Sequence, residues 1–270
     1  MDHGAGMHTE TAEPVGADLL GREMTGRILE QAGRTGCRAA LIDAADGAVT
    51  AGSRFTWTVR AGASGLARRG LAPGDTAGVM VKDAASFAIA VNAVRAAGAA
   101  VLIIGPETSP AHAAARLNAA GARLLITSPV LAGPAAEAAD RSRVRQIIAF
   151  GDTPGTTSFS SLLVTPGDEP GQAGRPVREP GTVAGLTAGY GGAGGELSHR
   201  DVVVAGPPCG DGVAYTALVD LALAAGATLV AAPLPLVTAA TRVYRGTAVI
   251  VPHGTGAGDV APGRVFTVTC

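Results

Sequence analysis

Between Thr76 and Phe150 the chain repeats one unit: a short apolar run, a turn, a segment of helical length and a closing glycine. Thr76–Val81, Ala99–Ile104, Ala122–Thr127 and Arg145–Phe150 are the apolar runs, and each predicts a strand. The run Ala99–Ile104 has no polar alternation, as expected of a strand covered on both faces. Between the runs, Asp83 stands where a helix over Ala84–Ala97 needs an N-cap, and Gly98 follows its end. Ser109 precedes a helix over Pro110–Ala120, with Pro at the first helical position and Gly121 after the last. Ala135–Ser142 predicts a further short helix. Strand and helix in strict alternation point to βαβ units and a parallel sheet.

Around this core the pattern is looser. Residues 1–17 read as a lead without regular structure, and Asp18–Ala32 as a helix with Met24, Ile28 and Leu29 on one face. Ala39–Asp43 and Arg54–Trp57 predict two strands, and Thr58 a cap for a helix over Val59–Arg69. Residues 151–181 are rich in Pro, Gly, Ser and Thr and read as a linker holding one short element at Phe159–Val164. A second α/β stretch over 182–270 predicts strands at Val183–Ala188, Thr228–Ala232 and Thr247–Val251, and a helix at Val213–Ala225. The tail from Gly254 to Cys270 leaves too little for another unit. The expected fold is therefore α/β, with a first wound subdomain at 18–150 and a partial second one at 182–270.

Composition narrows the function. Hydrophobic residues make up 47% of 270 and aromatics 3%, so the core is built from Ala, Val, Leu and Ile. A formal net charge of -1 leaves no overall basic field for nucleic acid or an anionic membrane. No apolar stretch reaches membrane-spanning length, and the N-terminus lacks the layout of a signal peptide. The three cysteines, Cys37, Cys209 and Cys270, are widely spaced and indicate neither a zinc site nor a disulfide framework. A reducing, cytoplasmic compartment is the expectation. The chain contains one lysine, Lys82.

Several segments in order resemble the adenylate-forming, AMP-binding superfamily of acyl-CoA synthetases. Phe55-Thr56-Trp57-Thr58 resembles that family's T-W/Y-x-E-L. Gly70-Leu71-Ala72-Pro73-Gly74-Asp75-Thr76-Ala77-Gly78-Val79 resembles G-V-x-P-G-D-x-V-A-V. Phe87 to Gly98, running into Ala99–Ile104, resembles F-x-x-A-x-x-A-x-x-A-G-A-V, and Leu117 to Thr127 resembles L-x-x-x-x-A-x-x-L-I-T. The resemblance implies the N-terminal part of such an enzyme, with the C-terminal domain absent.

Further on, Leu197-Ser198-His199-Arg200-Asp201 resembles the family's L-T-H-R-N, which follows its phosphate loop Y-T-S-G-T-T-G-x-P-K-G. The match implies a helix start for His199, packed under the loop. The loop's counterpart runs from Leu186 to Glu196. By this resemblance Thr187, Gly189, Gly191, Gly192, Gly194 and His199 are the candidate nucleotide-binding residues. A glycine-rich turn offers backbone N–H groups to phosphates. Here the threonine pair and the P-K-G are gone, Tyr190 is bulky, and Glu196 adds a repelling charge. Pro207-Pro208-Cys209-Gly210 stands where the family has P-L-F-H, and no Y-G-x-T-E or T-G-D segment follows. Adenylation must stabilise charge on phosphorus in flight, and the residues that do so in the family are missing.

Other residues read more simply. Cys209 with His253 could form a thiol nucleophile and base, but a turn cysteine is more often structural. Lys82-Asp83 lies at a strand's carboxyl end, where α/β proteins bind ligands, and also reads as a solvated loop with a helix cap. His253 to Asp259 is glycine-rich without a helix after it. His112 is expected to be exposed, and Trp57 to fill core.

The expectation from sequence is a non-catalytic or vestigial homologue, with no catalytic or metal residue assigned and no firm cofactor beyond weak ATP or AMP contact. It would bind a small acyl or aryl carboxylate, or a partner protein. Two alternatives stay open: an acyl- or aryl-CoA ligase with an altered loop completed by a partner chain, and a structural protein that dimerises through an open sheet edge.

Overall fold

In a computed structural model, residues 14–163, 197–209, 212–252 and 264–268 are described. They form two sheets with a layer of helices between them and further helices outside. The first sheet holds β3 (Thr76–Met80), β4 (Ala100–Ile103), β5 (Leu124–Thr127), β6 (Gln146–Ala149) and β7 (Thr157–Ser158), in the order β4-β3-β5-β6-β7, all parallel. The second holds β1 (Ala39–Asp43), β2 (Val49–Ala51), β8 (Val202–Ala205), β9 (Thr228–Ala231), β10 (Ala248–Pro252) and β11 (Arg264–Val268), in the order β11-β10-β8-β9-β1-β2. Only β2 runs antiparallel.

Helices α1 (Pro14–Thr35), α2 (Gly52–Arg68), α3 (Ala84–Ala96) and α6 (Val213–Ala224) form the middle layer. One continuous core joins them to both sheets: Val79, Ile126 and Ile148 enter it from the first, and Leu41, Val203, Leu229 and Ile250 from the second. Helices α4 (Pro110–Ala119) and α5 (Ala132–Asp140) cover the outer face of the first sheet, over Met80, Leu125 and Val144. Helix α7 (Val237–Val243) covers the outer face of the second, over Val204, Val230 and Val249. The central strands β5, β9 and β10 are thus buried along their length, as their unbroken apolar runs imply, whereas β4, at the edge of the first sheet, is only half-buried and corrects the expectation of cover on both faces.

The repeat between Thr76 and Phe150 folds as its pattern predicts. Asp83 accepts from the Ser86 backbone N–H at 2.6 Å, and Gly98 takes φ +84 just past α3. Ser109 caps α4 through the His112 N–H, with Pro110 first in the helix and Gly121 at φ +63 beyond it. A glycine without a Cβ adopts these left-handed angles freely.

Elsewhere the structure corrects the expectation. Helix α1 starts at Pro14, so residues 14–17 belong to it rather than to the lead. Arg54–Trp57 is helix, not strand, because α2 already begins at Gly52. Phe55, Val59, Ala63 and Leu66 recur at helical spacing on its buried face, and the strand pairing with β1 is Val49–Ala51. Thr58 therefore lies inside α2, whose N-cap is Ala51. Trp57 is half-buried with the Arg54 guanidinium 4.1 Å from its ring centre, while Phe55 fills the core.

Within the expected linker, the short element is a 3-10 turn over Phe159–Leu162, and it packs on α2. Phe159 stacks on Phe150 at 4.4 Å and covers Gly62, and Leu162 lies on Gly65. A Cβ on Gly65 would stand 2.5 Å from both Leu162 Cβ and its carbonyl oxygen. Three elements had no clear sequence signal: β8, α7 and β11. The last pairs along its length with β10, so the tail does supply a strand. The division expected at 151–181 follows the chain, but the sheets do not divide there: β1 pairs with β9, nearly two hundred residues away along the chain. The strand expected at Val183–Ala188 lies outside the described residues.

Candidate functional site

In a parallel sheet, ligands meet the protein outside the carboxyl ends of the strands. Here the carboxyl ends of the two sheets come together. Ile103, ending β4, packs against Gly212, where a Cβ would lie only 2.1 Å from Ile103 Cγ2. Gly212 precedes α6 and has φ +74, so it both admits Ile103 and makes the turn into the helix. Phe87 of α3 meets Tyr215 of α6 edge-on, with ring centres 5.1 Å apart.

Tyr215 is the pivot of this seam. Its hydroxyl donates to the Gly206 carbonyl at 2.7 Å, and the Gly206 N–H donates to the Ile250 carbonyl at 2.8 Å. Burial, then the negative charge of Asp83, pushes the Tyr215 hydroxyl well above its ordinary pKa. It therefore stays a neutral donor that ties β8 and β10 to α6. Below it, Arg95 of α3 pairs with Asp220 of α6 at 2.6 Å, and both are largely buried. Burial raises the Asp220 carboxyl above its usual range, and Arg95 opposes that rise.

The chemistry offered at the seam is apolar. Gly206, Pro207 and Pro208 follow β8, and Pro233, Leu234, Pro235 and Leu236 follow β9; Leu234 reaches Gly206 and is 41% exposed. From Leu221 to Thr241 the sequence holds no Asp, Glu, Lys or Arg. Helix α6 has no side-chain cap and no acid in its first turn. Lys82 is exposed beyond β3, and its backbone N–H donates to Ser128 Oγ at 2.9 Å. This geometry matches the cap-and-loop reading of Lys82-Asp83.

The other sequence candidates fall elsewhere. Thr187, Gly189, Gly191, Gly192 and Gly194 lie outside the described residues, as does His253. His199 is exposed at the tip of a turn and starts no helix: strand β8 follows at once. The turn is closed by Asp201, whose buried carboxylate accepts from Ser198 N–H at 2.7 Å, Ser198 Oγ at 2.9 Å and Thr247 Oγ1 at 2.7 Å. These bonds hold the segment extended into the sheet, so the local helix signal loses. The turn sits at the amino end of β8, the far end from Gly206, so His199 does not join the seam. Cys209 is disulfide-bonded, which corrects the expectation of free thiols and removes its nucleophile reading in this state. Cys37 is free and exposed, and so is the imidazole of His112. Sequence reasoning missed Tyr215, Gly206, Gly212 and the Arg95–Asp220 pair; a lone acid in an otherwise apolar helix was the available sign.

A family model described as AMP-binding enzyme matches residues 28–184. The chain belongs to the AMP-binding enzyme family. Solved structures with the same fold include a long-chain-fatty-acid-CoA ligase from Archaeoglobus fulgidus (18% identity, TM-score 0.66, covering 86% of this chain and 51% of that one). A benzoate CoA ligase from Burkholderia xenovorans is similar at 17% identity and TM-score 0.67, covering 88% and 52%. An amide bond synthetase from Marinactinospora thermotolerans gives 18% and 0.66, covering 87% and 49%. The chain thus spans about half the length of these proteins. No curated protein sequence matches it.

The group this family implies is a triphosphate, and the described part of the seam offers it one helix N-terminus, that of α6. Apolar side chains face the seam from the second sheet. A Cβ built on Gly206 would meet Ile250, Leu234 and Pro252, and one on Gly212 would meet Ile103. No helix among the described residues is long and apolar enough to cross a membrane.

Proposed function

We propose that this family member is non-catalytic and uses the retained scaffold to bind an acyl or aryl group, or a partner protein. The apolar, uncharged segments that follow β8 and β9, Gly206–Pro208 and Pro233–Leu236, carry this reading. Phosphoryl chemistry needs preorganised positive charge and donors where the charge develops, whereas an apolar rim with few polar groups suits an acyl or aryl ligand. The stripped composition of residues 187–196 and the single lysine support the same view. Titration calorimetry with ATP-Mg²⁺, beside a pyrophosphate-release assay over a panel of aliphatic and aryl carboxylates, tests it. The expected result is no turnover and at most millimolar nucleotide affinity, against measurable heat with an apolar carboxylate. Sustained pyrophosphate release ends the reading.

A second reading is supported by the span of about half the length of the ligases named above. In it the chain is one portion of an AMP-forming ligase completed by further polypeptide. It predicts pyrophosphate release only after a lysine-bearing C-terminal portion is supplied.

A further inference from the structure

The opposite end of the first sheet carries a different chemistry. Arg123 and Arg145 stand just before β5 and β6, where the register Leu124↔Gln146 sets them side by side. The Arg145 N–H donates to the Arg123 carbonyl at 2.7 Å, so the ladder already includes both residues. Neighbouring strands lie about 4.8 Å apart, and like charges in such lateral pairs destabilise a sheet. Arg143 lies two residues before Arg145, across the buried Val144. Its backbone is fixed: Asn118 Oδ1 accepts from the Arg143 N–H at 3.0 Å while Asn118 Nδ2 donates to the Arg141 carbonyl at 3.1 Å.

All three arginines are exposed, and among the described residues none makes a side-chain hydrogen bond or ion pair. Two other exposed arginines find an acid one helical turn away: Arg34 pairs with Glu30 and Arg141 with Glu137, both at 2.6 Å. Nearby acids do not answer the cluster. Glu137 is held by Arg141, Asp75 accepts from the Ala72 N–H at 2.8 Å, and Asp140 stays exposed without an ion pair. The carbonyl ends of α4 and α5 favour positive charge here, which accounts for one or two cations but not for three placed side by side on a rigid rim.

We infer that this amino-edge rim, Arg123, Arg143 and Arg145, docks an acidic segment of a partner polypeptide. Planar guanidinium forks pair bidentately with carboxylates. The rim is short, its described surroundings offer no aromatic platform for bases, and the chain's net charge of -1 provides no field for a long polyanion. A partner held there leaves the carboxyl-edge seam uncovered, so one scaffold serves a ligand at one end and a protein at the other. The inference builds on the partner-binding part of the function proposed above, but the two fail separately, since ATP turnover does not depend on the rim.

The test is fluorescence anisotropy of a labelled eight-glutamate peptide with the full chain, beside an equal-length oligothymidylate and phosphatidylserine vesicles. The expected result is peptide binding that is lost near 1 M salt, where the Debye length falls to about 3 Å. Arg123→Glu/Arg145→Glu should weaken it at least about tenfold, and the milder Arg123→Gln/Arg145→Gln by less. Arg38→Glu/Arg60→Glu, exposed elsewhere, should not change it. Melting temperatures of all variants check folding, and relief of the lateral repulsion should leave Arg123→Gln/Arg145→Gln no less stable than the parent. Equal peptide binding by parent and rim variants, or tighter binding of the oligonucleotide or the vesicles, overturns the inference.

Discussion

The two sheets use the same material, short Val-, Leu- and Ala-rich strands between layers of helices, yet they are assembled in different ways. The first is wound from one unbroken stretch of chain, Thr76 to Ser158, and its helices α3 and α4 carry their own start and stop signals. The second draws β1 and β2 from the N-terminal end and its other strands from beyond Val202. Its helix α6 starts at a glycine with no side-chain cap, held by Ile103 of the other sheet. The first sheet is therefore specified locally, and the second by contact with its neighbour. This difference also places the proposed site, since the apolar seam lies where the second sheet leans on the first.

The strongest test of that dependence is the Arg95–Asp220 pair across α3 and α6. Arg95→Met strands a buried carboxyl and should cost about 3–5 kcal/mol, whereas Arg95→Met/Asp220→Leu should recover most of it. Chemical denaturation measures both. The pH dependence has a definite sign. Because the Asp220 carboxyl is raised in the folded protein, its contribution is full below the unfolded-state value and is lost as pH rises through the folded one. Without Arg95 the rise is larger, so the single variant should lose more stability than the parent between mildly acidic and neutral pH.

Gly212→Ala comes next, at about 2–4 kcal/mol, combining a left-handed backbone with a clash on Ile103. Hydrogen exchange should show α6 and β8 loosening before β3 to β6; uniform loosening would break the distinction between the sheets. Asp83→Ala, a local cap of the first sheet, should cost about 1 kcal/mol and leave α6 protected. Ser109→Ala should cost about 0.5 kcal/mol, since its bond to the His112 N–H is long at 3.4 Å. Thermal melts resolve the two caps.

The same contrast decides what was legible beforehand. Caps at Asp83 and Ser109, with glycines at 98 and 121, located α3 and α4 within a residue, because such signals act within one turn of chain; α5, without a side-chain cap, starts three residues before its expected position, and α6, uncapped but strongly apolar, was placed within one. The family resemblance came from those segments as well, and the match over residues 28–184 includes them. Arg54–Trp57 was misread because aromatic and β-branched residues suit a strand until the wider spacing of Phe55, Val59 and Leu66 is weighed. The turn at Ser198–Asp201 was misread as a helix start for a similar reason: Asp201 is satisfied by Thr247, a partner with no local signature. Of the site, the loss of charge around 187–196 could be read directly, while Tyr215 and Gly206 carried no mark of their meeting.

The amino-acid sequence by itself determined the α/β class, the parallel winding of Thr76 to Phe150, the family, and the shortage of lysine that weighs against phosphoryl chemistry. Only the tertiary structure decided that β1 joins β9, that the carboxyl ends of both sheets share one seam through Ile103, Gly212 and Tyr215, and that three arginines stand together at the other end. Hydrophobic period and capping are written in neighbouring residues. Pairing between strands far apart in the chain is chosen by the shapes and charges that meet when the core closes.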